Sequence, residues 1–163
     1  PGPVFFRQER VTQYGRRFKI YKFRTMVSDA QQKGSLITAS GDSRITAVGR
    51  KLRGCRLDEL PQLINIWKGE MSFVGTRPEV EKYVRHYTPE MYATLLLPAG
   101  VTSQASIRFK DEDKYFQEGG DVDQIYVKRV LPMKMAWNLK SLRNFSLGRE
   151  LLTMVETVLA VVR

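Results

Sequence analysis

The sequence predicts a small α+β domain in which helices dominate and a β-hairpin supplies the sheet. Two runs of aromatic and β-branched residues stand near the N-terminus, and apolar residues recur at helical spacing through much of the chain that follows. The chain has 163 residues, a length typical of one domain with a single core. Residues 1–163 are therefore expected to form one domain.

The hairpin is predicted from residues 4–11 and 18–24, which flank a polar turn that contains Gly15. Both runs are rich in residue types that favour strands. Residues 28–44 are polar, with glycine, serine and aspartate, and are expected to form a loop.

The clearest helix follows residue 58. Its apolar stripe recurs at i, i+3, i+4 and i+7 and consists of Leu60, Leu63, Ile64 and Trp67. Asp58 is expected to cap its N-terminus, and Gly69 stands where a C-terminal cap would. A shorter helix before it is expected to turn Ile45, Val48 and Leu52 inward and to expose basic side chains.

The second half is predicted to be mainly helical. After a short strand-like segment at residues 72–75, helices are expected at residues 80–87, between Pro89 and Pro98, and at residues 131–142. Residues 111–124 are acidic and contain glycine, which favours an exposed loop.

The last helix, residues 149–163, carries a wide apolar face, with one stripe formed by Leu151, Val155, Val158 and Val162. Such a face either packs in the core or lies against a membrane surface, as amphipathic surface helices do. Because buried terminal helices are commoner than interfacial ones, burial in the core is the expected outcome.

Composition excludes several classes of protein. A single cysteine, Cys55, cannot form an internal disulfide, and with a single histidine, His86, the chain has no Cys/His cluster for zinc. No apolar run approaches the roughly 18 residues that cross a bilayer. The formal net charge is +10 with 42% hydrophobic residues, which indicates a folded basic domain with an anionic partner.

Asp58 and Glu59 are adjacent carboxylates at the predicted start of a helix. The positive end of the helix dipole should lower the pKa of Asp58. An aspartate that is always ionised is a poor general base at neutral pH, but it can act as a nucleophile or a metal ligand. The basic residues that flank the pair are Arg44, Arg50, Lys51, Arg53, Arg56 and Arg77.

The residues alone leave two interpretations of this pair open. In the first, arginines and a divalent cation offset the repulsion between Asp58 and a phosphoryl group. In the second, Asp58 is a helix cap, Glu59 a dipole partner, and the arginines a solvated surface. Composition and spacing by themselves favour the second.

Five segments nevertheless occur in an order typical of a known family. They are PGPVFFRQ at residues 1–8, FKIYKFRTM at 18–26, DSRIT at 42–46, LDELPQL at 57–63 and VGTRPE at 74–79. Together they resemble the bacterial sugar transferase family, the monotopic polyprenyl-phosphate phosphoglycosyl transferases. The likeness covers roughly residues 1–80, and beyond it residues 98–102 and the helical C-terminus resemble the family more loosely.

The resemblance implies a reaction in which a sugar-1-phosphate moves from a UDP-sugar to a polyprenyl phosphate, commonly undecaprenyl phosphate, and UMP is released. This would be the first membrane step in making a surface glycan such as an exopolysaccharide, capsule, O-antigen or glycoprotein glycan. By position, Asp58 would be the nucleophile that forms a covalent aspartyl phospho-sugar, and Glu59 its catalytic partner. Mg²⁺ is the implied cofactor, on Asp58 and the nucleotide phosphates.

The resemblance also implies substrate-binding residues. Lys22 and Arg24 lie two apart on a predicted strand, hence on one face, where they either hold a phosphate or are solvated. Arg44 and Arg77 are expected to contact the pyrophosphate, and Pro78 restrains Arg77 to an extended backbone. Glu79 either binds substrate or caps the next helix.

Three departures from the family pattern accompany the likeness: Ser43 and Thr76 stand where proline is usual, and the chain starts after the position of an apolar re-entrant helix. The expected location is the cytoplasmic face of the bacterial inner membrane, where the basic surface would meet anionic headgroups. A fragment without that helix would lack its membrane anchor. A nucleic-acid-binding module and a catalytically silent scaffold of the same fold are the weaker alternatives; nucleic acid is not an expected partner.

Overall fold

Residues 2–30, 37–38, 41–116 and 120–162 are described by the computed structural model. The strands are Phe5–Val11 (β1), Arg17–Phe23 (β2), Met71–Val74 (β3) and Ala99–Thr102 (β4). The helices are Ala47–Gly54 (α1), Gln62–Trp67 (α2), Glu81–Val84 (α3), Gln104–Arg108 (α4), Val122–Ile125 (α5), Leu131–Arg143 (α6) and Leu147–Val162 (α7). Short 3₁₀ segments lie at Gln13–Gly15, Leu57–Glu59, Met91–Leu96 and Glu112–Phe116, and a π-helical segment, Tyr126–Val130, connects α5 to α6. The predicted α+β fold class is confirmed.

The predicted hairpin is confirmed as an antiparallel pair in which Phe5 lies opposite Phe23 and Val11 lies opposite Arg17. Its turn contains Tyr14 and Gly15, both with positive φ. Part of the predicted polar loop at 28–44, namely 31–36 and 39–40, lies outside the described residues.

A second two-stranded sheet holds the middle of the chain together. Strands β3 and β4 are parallel, with Met71 opposite Ala99 and Val74 opposite Thr102. A Cβ atom at Gly100 would lie 2.1 Å from the backbone nitrogen of Gly75, so the close approach requires glycine there. Strand β3 confirms the predicted strand-like segment within one residue.

The main core lies between α3, the π-helical segment and α6. Its buried apolar residues are Val11, Val80, Tyr83, Val84, Tyr87, Phe116, Tyr126, Val130, Leu131 and Met135. The helical spacing predicted over 80–87 therefore marks buried positions correctly. The predicted exposed loop at 111–124 is wrong where a 3₁₀ segment with the buried Phe116 and the helix α5 occur, whereas Asp111, Lys114 and Asp121 are exposed as predicted.

Helix α1 turns a different side inward from the one predicted. Val48 is 69% exposed, whereas Gly49 is buried. A Cβ atom at Gly49 would lie 2.0 Å from the carbonyl oxygen of Thr25, so the helix backbone itself packs on the chain that leaves β2. Arg50 and Lys51 are exposed, as predicted.

Helix α2 exposes the apolar stripe that was predicted to be buried. Leu60, Leu63 and Trp67 are half or more exposed, and Trp67 reaches 87%. The buried residues of the helix are instead Gln62 and Asn65. Gly69 does end the helix, with φ +71°, as predicted.

Hydrogen bonds to the hairpin explain this orientation. The Asn65 side chain accepts from the backbone N–H of Tyr21 at 2.9 Å and donates to the carbonyl of Lys19 at 3.1 Å. It also donates to the Glu70 carboxylate at 2.7 Å. Asn65 thus satisfies polar backbone groups of β2, and the polar side of α2 faces the protein for that reason.

Helix α7 likewise exposes its apolar face, so the predicted burial of this face in the core is wrong. Leu151, Val155 and Val158 are more than half exposed, whereas Thr153 is buried. Gln104 Nε2 donates to Thr153 Oγ1 at 3.1 Å, and a further threonine of α7 bonds to β4. Within the described residues, no helix combines the length and hydropathy needed to cross a membrane.

Candidate active site

A cavity of about 440 Å³ lies between the hairpin, the 3₁₀ turn at Leu57–Glu59 and α6. Six of the seven residues proposed from the sequence line it: Lys22, Arg24, Arg44, Asp58, Arg77 and Glu79. The seventh, Glu59, is bonded to two of the lining cations. Residues far apart in sequence are therefore brought to one place.

A 3₁₀ turn, and not a helix cap, positions Asp58. The turn follows Arg56, a non-glycine residue in the left-handed region at φ 50°, ψ 19°. Helix α2 starts only at Gln62, after Pro61. The predicted capping role of Asp58 is therefore wrong, and so is the explanation of its pKa by the dipole of that helix.

Asp58 is a buried carboxylate with few direct partners. It is 7% exposed, and no group in the described part of the chain donates a hydrogen bond to it. Burial raises the pKa of Asp58 against the attraction of Lys22, which reverses the lowered pKa expected from the sequence. A desolvated carboxylate without donors is a stronger nucleophile than a solvated one.

Glu59 lies in the opposite environment. Its carboxylate accepts a hydrogen bond from Lys22 Nζ at 3.0 Å and two from Arg77, one of them at 3.1 Å. Although burial acts to raise the pKa of Glu59, the charges and hydrogen bonds of Arg77 and Lys22 outweigh it and hold the pKa well below its usual range. Glu59 therefore fixes two cations at the wall of the cavity.

The same contacts set the protonation of those cations. Burial lowers the pKa of Lys22 to about 8, despite the attraction of Glu59. The Glu59 carboxylate raises the pKa of Arg77. Arg77 is therefore a permanent charge in this cavity, whereas Lys22 titrates near the neutral range.

Arg44 and Arg24 are held by local partners at the edge of the cavity. The Arg44 guanidinium bonds to the Asp42 carboxylate, with Nε to Oδ1 at 2.9 Å and Nη2 to Oδ2 at 2.6 Å. Its Nη1 donates to the carbonyl of Ala30 at 2.9 Å. Arg24 donates to Ser28 Oγ at 2.8 Å. Both arginines are thus oriented before any ligand arrives.

Glu79 is part of a buried network and not a helix cap. It is 7% exposed, accepts a hydrogen bond from the hydroxyl of Tyr126, and lies 3.9 Å from Nη1 of Arg10. Helix α3 begins at Glu81, with Val80 as its capping position. Of the two roles considered for Glu79, the capping role is therefore wrong.

The cavity wall also contains charged and polar residues absent from the set proposed from the sequence, among them Arg10, Glu112, Tyr126 and Lys134. Of these four, Lys134 leaves a signal in the sequence. It follows Leu131 and precedes Asn138 at helical spacing, and all three are buried on α6. A lysine on the buried face of a helix indicates a charged partner inside the protein.

The residues fit a Mg²⁺ ion only if a substrate supplies most of its ligands. No group of three or more His, Cys, Asp or Glu side chains able to hold a metal occurs in the part of the chain that the structure describes. Asp58 has free acceptor oxygens, whereas those of Glu59 are occupied by Arg77 and Lys22. Mg²⁺ commonly binds through one or two carboxylates plus substrate phosphates, which a single Asp58 ligand satisfies.

Comparisons with a family model and with curated proteins agree on one family. The family model described as bacterial sugar transferase matches residues 1–163. The chain is 35% identical over 162 residues to the UDP-N-acetylgalactosamine-undecaprenyl-phosphate N-acetylgalactosaminephosphotransferase of Aeromonas hydrophila, covering 97% of this chain and 35% of that protein. It is 34% identical over 161 residues to the UDP-glucose:undecaprenyl-phosphate glucose-1-phosphate transferase of Caulobacter vibrioides, covering 97% and 56%.

A third relative, the putative undecaprenyl-phosphate N-acetylgalactosaminyl 1-phosphate transferase of Bacillus subtilis (strain 168), is 43% identical over 91 residues, covering 56% of this chain and 51% of that protein. The chain thus spans between about a third and just over half of the length of these relatives.

Proposed function

The chain belongs to the bacterial sugar transferase family, and we propose that it transfers a sugar-1-phosphate from a UDP-sugar to a polyprenyl phosphate, with release of UMP. One observation carries the proposal. A buried carboxylate with no hydrogen-bond donor among the described residues, Asp58, lines the same cavity as Lys22, Arg44, Arg53 and Arg77. Such an arrangement suits nucleophilic attack on a phosphate.

In the first step, an oxygen of Asp58 attacks the phosphorus that bears the sugar. A bond forms between that oxygen and the phosphorus, and the bond from the phosphorus to the bridging oxygen breaks. UMP leaves with the bridging oxygen and its electron pair. The enzyme then carries an aspartyl phospho-sugar.

In the second step, an oxygen of the polyprenyl phosphate attacks the same phosphorus. The Asp58 carboxylate leaves and is regenerated, and the product is a polyprenyl diphosphate sugar. Splitting the transfer in two lets donor and acceptor use one cavity in turn.

The cations of the cavity offset the charge of the phosphates. Two anions repel each other, so a carboxylate reaches a phosphate only where fixed positive charge compensates. Lys22 and Arg77, both held by Glu59, supply that charge beside Asp58. Glu59 in this account is a positioning residue for the two cations.

Asp58 and the nucleotide phosphates would hold Mg²⁺. The ion supplies additional positive charge for the phosphate oxygens when it is bound. Glu59 stays with its two cations and remains outside the ligand set.

The exposed apolar side of the same turn supports a membrane surface as the place of reaction. Leu57 and Leu60 flank the carboxylate pair and are 44% and 52% exposed, and Leu63 and Trp67 continue this apolar face along α2. The acceptor is a lipid, and a chain of net charge +10 is attracted to anionic headgroups. We place this face on an anionic bilayer, at the cytoplasmic side of the bacterial inner membrane.

The membrane contact is tested by vesicle sedimentation with anionic and with neutral lipids. Trp67→Ser together with Leu63→Ser should weaken binding by about tenfold or more, since each buried CH₂ contributes about 0.8 kcal/mol. The matched control is Tyr14→Ser, which removes an exposed aromatic ring from the hairpin turn. Equal binding by all three proteins would contradict this placement.

The transfer itself is tested by UMP release. The protein is mixed with Mg²⁺, a polyprenyl phosphate and either UDP-glucose or UDP-N-acetylgalactosamine. Release of UMP over many turnovers that requires both the donor and the acceptor supports the proposal. A protein that binds vesicles but releases no UMP from any UDP-sugar would instead be the silent scaffold.

A further inference from the structure

The cavity that holds Asp58 has a second group of polar side chains, farther along the chain. Lys134 on α6 donates from Nζ to Glu112 Oε2 at 2.9 Å and to the Tyr126 hydroxyl at 3.4 Å. That hydroxyl donates in turn to Glu79. Glu79, Glu112, Tyr126 and Lys134 all line the cavity and are here named the distal cluster.

Burying the polar groups of the distal cluster costs free energy of folding. Lys134 is 7% exposed and Tyr126 is 3% exposed, and Tyr126 belongs to the main core. Apolar side chains of similar volume are often at least as stable as a buried ion pair. A buried network that opens onto a cavity is therefore better explained by a ligand than by stability.

The two groups of the cavity differ in chemistry. The wall around Asp58 presents several cations, among them Lys22, Arg44, Arg53 and Arg77, and suits phosphate oxygens. The distal cluster mixes an ammonium, a phenol and two carboxylates, so it offers both donors and acceptors. Its carboxylates would repel a phosphate but accept hydrogen bonds from hydroxyl groups.

An unpaired hydrogen-bond donor also lies beside the distal cluster. Arg10 lines the cavity beside Glu79, and its Nε is buried with no hydrogen-bond partner among the described residues. Burial and the adjacent Glu79 raise the pKa of Tyr126 well above its usual range, so the phenol keeps its proton and donates it to Glu79. Unused buried donors are costly unless a ligand satisfies them.

We propose that the distal cluster binds the sugar of the donor and selects which sugar is transferred. This inference rests on the proposed function, because it assigns the other end of the same donor. Lys134 and Arg10 would donate to sugar oxygens, and Glu79 and Glu112 would accept from sugar hydroxyls, while Tyr126 holds Lys134 and Glu79 in place. A site that pairs with individual hydroxyls discriminates strongly among sugars that differ in one of them.

The test compares the parent protein with Lys134→Met, using UDP-glucose and UDP-N-acetylgalactosamine as donors and UMP as a product inhibitor. The ratio of kcat/KM for the two donors should change by about tenfold or more. Inhibition by UMP, which carries no sugar, should stay within about twofold of the parent, because a missing sugar contact cannot affect it. Lys140→Met, an exposed lysine of the same helix, is the matched control and should leave both readouts unchanged.

Two milder variants guard against a folding defect in Lys134→Met. Glu112→Gln removes one charge of the cluster and Tyr126→Phe removes one hydroxyl, both with little change of volume, and each should also shift the donor ratio. Equal losses for both donors in every variant would overturn the inference. Parallel weakening of UMP would overturn it as well, because it would place the nucleotide at the cluster. Absence of UMP release by the parent with every UDP-sugar would overturn the proposed function itself.

Discussion

The two sides of the 3₁₀ turn at Leu57–Glu59 carry adjacent carboxylates in opposite states. Glu59 is surrounded by donors, from Arg77 and Lys22, and its pKa is held well below the usual range. Asp58 has no hydrogen-bond donor among the described residues, and burial raises its pKa. In the proposed mechanism these neighbours divide into a structural anion, Glu59, and a nucleophile, Asp58, because a carboxylate saturated with hydrogen bonds has no free oxygen to attack with.

Removing the charge of Asp58 should give the largest effect on activity. Asp58→Asn lacks the nucleophile, so UMP release should fall by about 10⁴-fold or more. Stability should stay level or rise slightly, since the substitution removes a buried charge without hydrogen-bond donors. UMP assays and thermal unfolding measure the two effects, and transfer within tenfold of the parent would assign the chemistry to another residue.

Removing the charge of Glu59 should instead affect both folding and activity. Glu59→Gln leaves Arg77 and Lys22 buried without their anion, which costs about 3–5 kcal/mol of the free energy of unfolding. Denaturant unfolding measures this change.

The matched control for Glu59 is Glu81→Gln, which breaks ion pairs of a surface glutamate with Arg17 and Arg85. That change should cost less than about 1 kcal/mol. Equal costs for the two variants would show that Glu59 is no more structural than a surface residue.

The pH dependence of activity should distinguish Lys22 from Arg77, the two cations bound to Glu59. Burial lowers the pKa of Lys22 to about 8, so its positive charge is present below that pH and is lost as the pH rises through it. Activity should therefore decline above about pH 8. Lys22→Arg should remove this decline because arginine stays charged, whereas Lys68→Arg, at an exposed lysine, should keep it. The same decline in both variants would exclude Lys22 as its source.

The smallest effect is expected at Arg56, whose left-handed backbone sets up the turn for both carboxylates. Arg56→Gly relieves a conformation that costs a non-glycine residue about 1–2 kcal/mol, but it also adds freedom to the unfolded chain. The net gain in unfolding free energy should stay below about 1 kcal/mol, with transfer activity kept. A large loss of activity would mean that the Arg56 side chain, and not only its backbone, serves the site.

Local patterns predicted the hairpin, the glycine that ends α2 and the buried spacing of residues 80–87. They failed on the orientation of α2 and α7. Periodicity reports which residues share a face, and assigning the apolar face to the interior assumes that water is the surrounding solvent. Asn65, which bonds to the backbone of β2 from the polar side of α2, decides the orientation instead.

Sequence motifs alone predict that Lys22, Arg44, Asp58 and Arg77 serve one site, and all four line the same cavity. The pKa of Asp58 could not be predicted in the same way, because burial depends on packing across the whole chain and not on the neighbours of one residue. The other members of the distal cluster besides Glu79 were missed for a related reason. The spacing of Lys134 on α6 indicates that it is buried, but its contacts with Tyr126 and Glu112 depend on tertiary packing that no local pattern records.

Intact-mass measurement of the protein after mixing with a UDP-sugar and Mg²⁺, in the absence of acceptor, tests the role of Asp58 most directly. The account predicts a mass increase of one sugar phosphate, matched by release of one UMP per adduct, and reversal when polyprenyl phosphate is added. Asp58→Asn should show no adduct, and Glu59→Gln should still form one, more slowly. An unmodified parent protein that nonetheless transfers the sugar, or an adduct that persists in Asp58→Asn, would contradict it.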